Sequence, residues 1–276
     1  MKLNKTQIIV VFGIVLLTAV LYFLPKNVLS NSKQGANRDK PQSENAESQP
    51  ESQENLKMID VILAESIARL TEAEQKDLKL NEGADEQAIS KAMKQYGKFD
   101  NKLGVAFCME KLSGKYTNKE LGMAYYQAFQ QSQLEENKKS IGAKTVSFLK
   151  TYSEQSPDDI IAKCALADCF VTSSANPMNG IMLLRDVIAK DSTNETALLL
   201  LGQFAVKSGQ IEKAISRFES LIRLYPSNIK YSLYLAQLFS DQGNAQKASE
   251  TLSSAKKLAV RKSAIDSINS IINHLK

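Results

Sequence analysis

Between Ile161 and Lys262 the chain repeats itself every 34 residues, and this period limits its fold more than any other feature. Leu201-Gly202 falls on Leu235-Ala236, Gly209 on Gly243, Ala214 on Ala248, Phe218 on Leu252 and Leu221 on Ala255. One period earlier the same positions hold Ala167-Asp168, Ala175, Gly180, Leu184 and Val187. Three consecutive units result, Ile161–Asn194, Glu195–Asn228 and Ile229–Lys262. Small residues recur where two backbones would approach, large apolar ones where the space between helices must be filled, and Gly where a turn falls. A short repeated unit cannot bury its own apolar face, so the units must stack.

These positions resemble the tetratricopeptide repeat, whose unit is a pair of antiparallel helices of this length. In Glu195–Asn228 the matching residues are Leu198, Leu201, Gly202, Gly209, Ala214, Phe218 and Pro226. Gly202 and Ala214 would let the paired helices close, Gly209 would sit in the turn, Phe218 would fill the gap and Pro226 would stop the second helix. Ala205 stands where the family usually has Tyr and Leu221 where it usually has Ala, while the preceding unit has Asp168 and Gly180 for Gly and Ala. The resemblance implies an all-α fold, a right-handed superhelical solenoid of antiparallel helix pairs.

Upstream, 56–160 has a helical apolar period, with a first stripe of Leu56, Ile59, Leu63, Ile67 and Leu70. Helices are expected near Glu86–Tyr96, Lys98–Leu112, Asn118–Gln131, Asn137–Tyr152, Asp158–Thr172 and Asn179–Ala189. Leu121-Gly122, Tyr125 and Phe148…Pro157 resemble a divergent repeat with an insertion at Gln131–Lys144. Breaks are signalled at Asn81-Glu82-Gly83, Ser113-Gly114, Ser156-Pro157 and Asn176-Pro177. Residues 260–276 alternate an apolar stripe (Val260, Ala264, Ile265, Ile268, Ile271, Ile272, Leu275) with a polar face, the pattern of a helix that caps a stack.

Residues 8–24, Ile8–Leu24, form an uncharged apolar run behind a short basic tail, 1–7. At 1.5 Å per residue the run reaches roughly 25 Å, enough to cross a thin bilayer core. It is longer than a secretory h-region and ends in Tyr22-Phe23-Leu24-Pro25 without a small-residue cleavage pattern. An uncleaved transmembrane signal-anchor is expected, with the bulk of the chain outside the cytoplasm. Residues 25–55 then form a linker whose Ser30–Asn55 part is rich in Ser, Gln, Asn and Glu and has no aromatic or large aliphatic residue. Such a composition cannot offset its ordering entropy and is expected to be disordered. The layout of anchor, linker and repeats resembles bacterial envelope repeat proteins, which implies an inner-membrane protein with its repeats in the periplasm.

Catalytic constellations are hard to assemble from what remains. His274 is the only histidine, and Cys108, Cys164 and Cys169 form neither a CxxC pair nor an even set. They read as small packing residues. No cofactor and no metal are expected, and no enzymatic activity. Asn194–Lys276 carries about +5 of charge but lacks the Arg clusters and stacking platforms of a nucleic-acid surface.

The resemblance implies function through a concave face lined by first helices. That face would carry Ala162, Ala165, Cys169 and Thr172, then Thr196, Leu199, Gln203 and Lys207, then Lys230, Leu233, Gln237 and Asp241. Amide, cationic and aliphatic groups together suit a partner peptide or a partner helix. The paired Lys and Asn clamp with which some family members hold a C-terminal carboxylate is not matched, since Gln203, Gln237, Leu199 and Ala165 occupy the places in question. A membrane-anchored protein-binding scaffold is therefore expected. The alternatives are a helical repeat associated with nucleic acid through its basic last third, and a non-catalytic subunit of an envelope enzyme complex.

Overall fold

The computed structural model describes residues 53–68, 70–80, 83–173, 177–258 and 262–274. Among these there are thirteen helices and no strand. The expected anchor and nearly all of the expected linker lie outside the described residues. None of the described helices is long and apolar enough to cross a membrane. The chain divides into two compact units, whose described parts are 53–197 and 198–274, with the division falling near the start of one helix.

The first unit comprises α1 (Gln53–Ile67), α2 (Glu72–Leu78), α3 (Glu86–Lys98), α4 (Lys102–Lys111), α5 (Asn118–Gln131), α6 (Glu135–Gln155), α7 (Ile160–Ser173) and α8 (Pro177–Lys190). α1 begins inside the 25–55 stretch, and α2 is an element the apolar period did not announce. Side chains set the starts. Thr71 and Thr117 each form a reciprocal capping box with the glutamate three residues on, Glu74 and Glu120. Asp85 and Asn101 accept from the backbone N–H groups of Ala88 and Gly104. Most of the expected insertion, Gln131–Lys144, is helical: α6 starts at Glu135, two residues before the expected Asn137, and runs for 21 residues. Its extra turns are retained because Ser140, Ile141, Gly142, Lys144 and Thr145 are buried against neighbouring helices. A Cβ on Gly142 would meet Ser173 Oγ at 2.6 Å, and one on Gly122 would meet Leu149 Cδ2 at 2.5 Å.

The second unit contains most of α9 (Glu195–Lys207), with α10 (Ile211–Leu224), α11 (Ile229–Asp241), α12 (Ala245–Leu258) and α13 (Lys262–His274). Two of its turns are copies of each other. Gly209 and Gly243, 34 residues apart, hold φ of +71° and +74°. The next N–H in each case reaches back five residues, Gln210 to Ala205 O and Asn244 to Phe239 O, both at 2.8 Å. This is the Schellman closure of a helix, which needs a left-handed residue and so favours Gly. α3 ends the same way on Asp100 at φ +53°, with Asn101 N–H reaching Tyr96 O.

Burial follows the 34-residue period through both units. Gly180, Ala214 and Ala248 are all buried, as are Leu184, Phe218 and Leu252, and Val187, Leu221 and Ala255. A Cβ on Gly180 would lie 2.4 Å from Ala167 O, so α7 and α8 approach too closely there for the family's Ala. Gly202 is less tight, with 3.2 Å from its virtual Cβ to Phe218 Cζ. In the last helix, Ile268 is buried and Ile265, Ile271 and Ile272 are half-buried, while Asp266 and Asn273 face solvent. That division of faces is what a capping helix requires.

Candidate functional site

The contacts of Phe218 orient the helices that present the predicted surface. On one side the ring meets Gly202 of α9; on the other it stacks on Tyr234 of α11, with centroids 5.3 Å apart and planes 18° from parallel. Gly202, Phe218 and Tyr234 each lie near the middle of their helices, and the connections between α9, α10 and α11 are short turns, 208–210 and 225–228, of the kind that join antiparallel neighbours. Each helix therefore runs antiparallel to the next, and α9 and α11 run in the same direction as first helices of successive pairs. Gln203 donates from Nε2 to the Tyr234 hydroxyl at 3.4 Å, which links the two first helices directly.

Leu199, Gln203, Leu233 and Gln237 are half-buried, and Lys207, Lys230 and Asp241 are exposed. Gln237 donates to Asp241 Oδ1 at 2.7 Å, one turn along α11. Lys207 lies in the last turn of α9 and Lys230 in the first turn of α11, so the two lysines fall at opposite ends of this surface. Tyr234 was absent from the sequence expectation. Its signal is weak: one period earlier its place is held by Leu200, which carries no polar group. The arrangement offers amide donors and acceptors between aliphatic side chains, which suits an extended backbone with apolar side chains.

In the first unit the expected first-helix residues are placed differently. Ala162, Ala165 and Cys169 are fully buried in the core, and only Thr172 is partly accessible. The long α6 packs against α7 with Thr145 fully buried, and Tyr126 of α5 donates to Asp168 at 2.9 Å. These contacts close over the face that the repeat pattern assigned to a groove.

Polar constellations in the first unit serve packing. Lys144 is buried, its side chain 3% exposed, and donates to Glu110 Oε1 at 2.7 Å. Tyr125 donates to the other Glu110 oxygen, and the ammonium lies 6.0 Å from the centroids of Tyr125 and Phe148, which stack on each other. Asp159 accepts from Lys119 at 2.7 Å, Tyr152 at 2.9 Å and the Ala162 N–H at 3.1 Å. Burial pushes its carboxyl pKa up, but those three donors outweigh burial and hold it below the usual range.

All three cysteines are free and buried. Burial pushes Cys108 up to about 12 and, with the nearby Asp168 charge, Cys164 up to about 11; Cys169 is raised by the same two causes. Thiols held protonated in this way are poor nucleophiles and poor ligands. Among the described residues no group of three or more His, Cys, Asp or Glu side chains is placed to hold a metal ion.

Comparison with known proteins gives the following. Residues 205–267 match the family model described as tetratricopeptide repeat. No curated protein matches the chain. Among solved structures the chain is similar to MamA, residues 41 to the end, from Desulfovibrio magneticus RS-1, at 16% identity over 74% of this chain and 94% of that one, with a TM-score of 0.41. It is similar to the MamA RS-1 ArsTM double mutant at 14% identity over 62% of this chain and 93% of that one, with a TM-score of 0.38. It is similar to yeast Tom70 at 11% identity over 80% of this chain and 58% of that one, with a TM-score of 0.33.

Proposed function

We propose that the chain is a non-catalytic protein-binding scaffold. In this reading a partner peptide or helix lies along the face shared by α9 and α11, contacting Leu199, Gln203, Lys207, Lys230, Leu233, Gln237 and Asp241. The observation that carries it is the pairing of first helices. Leu199 and Gln203 on α9 and Leu233 and Gln237 on α11 recur at the 34-residue period, and Gln203 bridges to α11 through Tyr234. Half-buried leucines are positioned to take apolar side chains, and half-buried amides can pair with a backbone without leaving a charge desolvated. The tetratricopeptide repeat match over 205–267 supports the same reading.

The scaffold is proposed to be tethered through Ile8–Leu24 in a bacterial inner membrane, with 25–55 as a flexible spacer and the repeats in the periplasm. What supports this is sequence: a 17-residue uncharged span, the basic residues before it and the polar linker after it. The test is a photoreactive phenylalanine analogue placed at Leu233 in the native host, with a matched substitution at Ser216 on the exposed side of α10. Crosslinking of one partner from Leu233 alone supports the reading. Crosslinking from Ser216 alone would assign the partner to another face.

A further inference from the structure

The antiparallel order of α10 to α13 gathers charge that the sequence keeps far apart. The C-termini of α10 and α12 and the N-termini of α11 and α13 all lie at one end of the second unit. That end carries Arg223, Lys230, Lys256, Lys257 and Lys262, every one exposed. α10 and α13 also carry the acids Glu219 and Asp266. Over 198–276 there are eleven Lys and Arg against five Asp and Glu, and five of the eleven cluster here.

A groove of about 310 Å³ opens beside this cluster, between α10 and α12 and across α11. It is lined by Ile222, Leu235, Ala255 and Leu258, with Ser232, Thr251, Ser254, Arg223 and the carboxylate of Glu219 as its polar groups. Leu258 is 49% exposed, whereas Leu235 and Ala255 of the same lining are buried. Lysine in the last turn of a helix is commonly a partner for the helix dipole. Dipole pairing accounts for Arg223, Lys256 and Lys257, each in the last turn of its helix, but not for Lys230 and Lys262 in first turns, nor for a large aliphatic side chain left in water at the mouth of the groove.

We propose that this end of the second unit is a second docking surface, which meets the α9/α11 face at Lys230, and that it takes an acidic peptide segment with an apolar anchor. The anchor would enter between Ile222, Leu235, Ala255 and Leu258. Acidic residues beside it would meet Arg223, Lys256, Lys257 and Lys262. The volume admits one or two aliphatic side chains, not a whole helix face. The complementarity to an acidic ligand comes from charge, which governs encounter and partner choice more than affinity. A nucleic acid fits less well, because the groove has no aromatic platform and only one arginine in its lining. A lipid surface fits less well, because the apolar side chains line a concavity.

The test is fluorescence anisotropy on the full-length chain with synthetic peptides of about 12 residues. One is Glu-rich with two Leu; the second has Ser for Leu; the third has Lys for Glu. Phosphatidylglycerol vesicles and a single-stranded DNA oligonucleotide are run beside them. The chain is compared with K256Q/K257Q, L258S and, at the opposite end of the same helices, K213Q/K247Q. All five positions are exposed, and circular dichroism checks each variant; R223Q/K262Q replaces any that unfolds. The expected result is binding of the Glu/Leu peptide, weakened by salt and by about tenfold or more in K256Q/K257Q. L258S should erase the preference for Leu over Ser, and K213Q/K247Q should change little. An equal loss in K213Q/K247Q would reduce the effect to net charge and overturn the proposal. So would binding of the Ser peptide as tightly as the Leu peptide, no binding of either, or capture of vesicles or oligonucleotide alone.

Discussion

Truncating Phe218 to alanine removes a ring that is 1% exposed and packs between Gly202 of α9 and Tyr234 of α11. Phe→Ala in a core costs about 3–5 kcal/mol, and a stacked aromatic partner adds about 0.5–1.5 kcal/mol beyond area burial. The upper half of that range applies here. The cavity would lie between the backbone of Gly202, which has no side chain to move into it, and the Tyr234 ring, whose hydroxyl is held by Gln203. A loss of about 5 kcal/mol is therefore expected, a large part of the 5–15 kcal/mol typical of a whole domain. The assay is urea unfolding followed by circular dichroism, with hydrogen exchange used to locate the loss in α9–α12. Arg223→Ala, an exposed position, is the control and should shift stability by no more than about 0.5 kcal/mol. Equal midpoints for the two variants would refute the packing derived from the repeat.

The Glu110–Lys144 pair should respond asymmetrically. Glu110→Ala strands a buried ammonium and should cost about 3–5 kcal/mol, whereas Lys144→Met leaves a carboxylate that water and Tyr125 can satisfy and should cost less; urea midpoints rank the two. At acid pH, Asp159 should matter. Its folded pKa is lowered, so its contribution is present above the unfolded value of about 3.9 and is lost as pH falls through the folded value; the Asp159→Asn variant should show a shallower acid limb in a melting-temperature series. Lys119, its partner, has a raised pKa, so its share persists below the unfolded value of about 10.4 and is lost only as pH rises through the folded one. Protease added to spheroplasts should cut within 25–55 and release a helical fragment; protection until lysis would place the repeats in the cytoplasm.

Legibility from sequence followed the range of the interactions. Ala214, Phe218 and Leu221 and their counterparts at Ala248, Leu252 and Ala255 were readable because one period placed all of them in equivalent surroundings. Gly209 and Gly243 were readable because a left-handed helix end favours Gly. α6 was readable as a helix over Asn137–Tyr152, but the burial of its polar Ser140, Lys144 and Thr145 was not: they look solvated, and only packing against other helices shows otherwise. The Lys144–Glu110 contact joins residues with no local pattern between them. The same contacts remove Ala162, Ala165 and Cys169 from any groove, because whether a first-helix face is open depends on what the upstream helices cover. On α9 and α11 the seven predicted residues could be placed on first helices, but the opposite-end positions of Lys207 and Lys230, and the part taken by Tyr234, follow only from the direction of each helix.

The central claim is that the face shared by α9 and α11 binds the partner without holding the fold together. The direct measurement is the affinity, by titration calorimetry, of the partner crosslinked from Leu233 for the chain and for its Leu199→Ser/Leu233→Ser variant, with melting temperatures recorded alongside. Both leucines are half-buried, so the variant should keep its helical spectrum and melt within a few degrees of the parent. The account predicts an affinity loss of about 50-fold or more, as expected for truncating two apolar anchors. A folded variant that binds with unchanged affinity would contradict it.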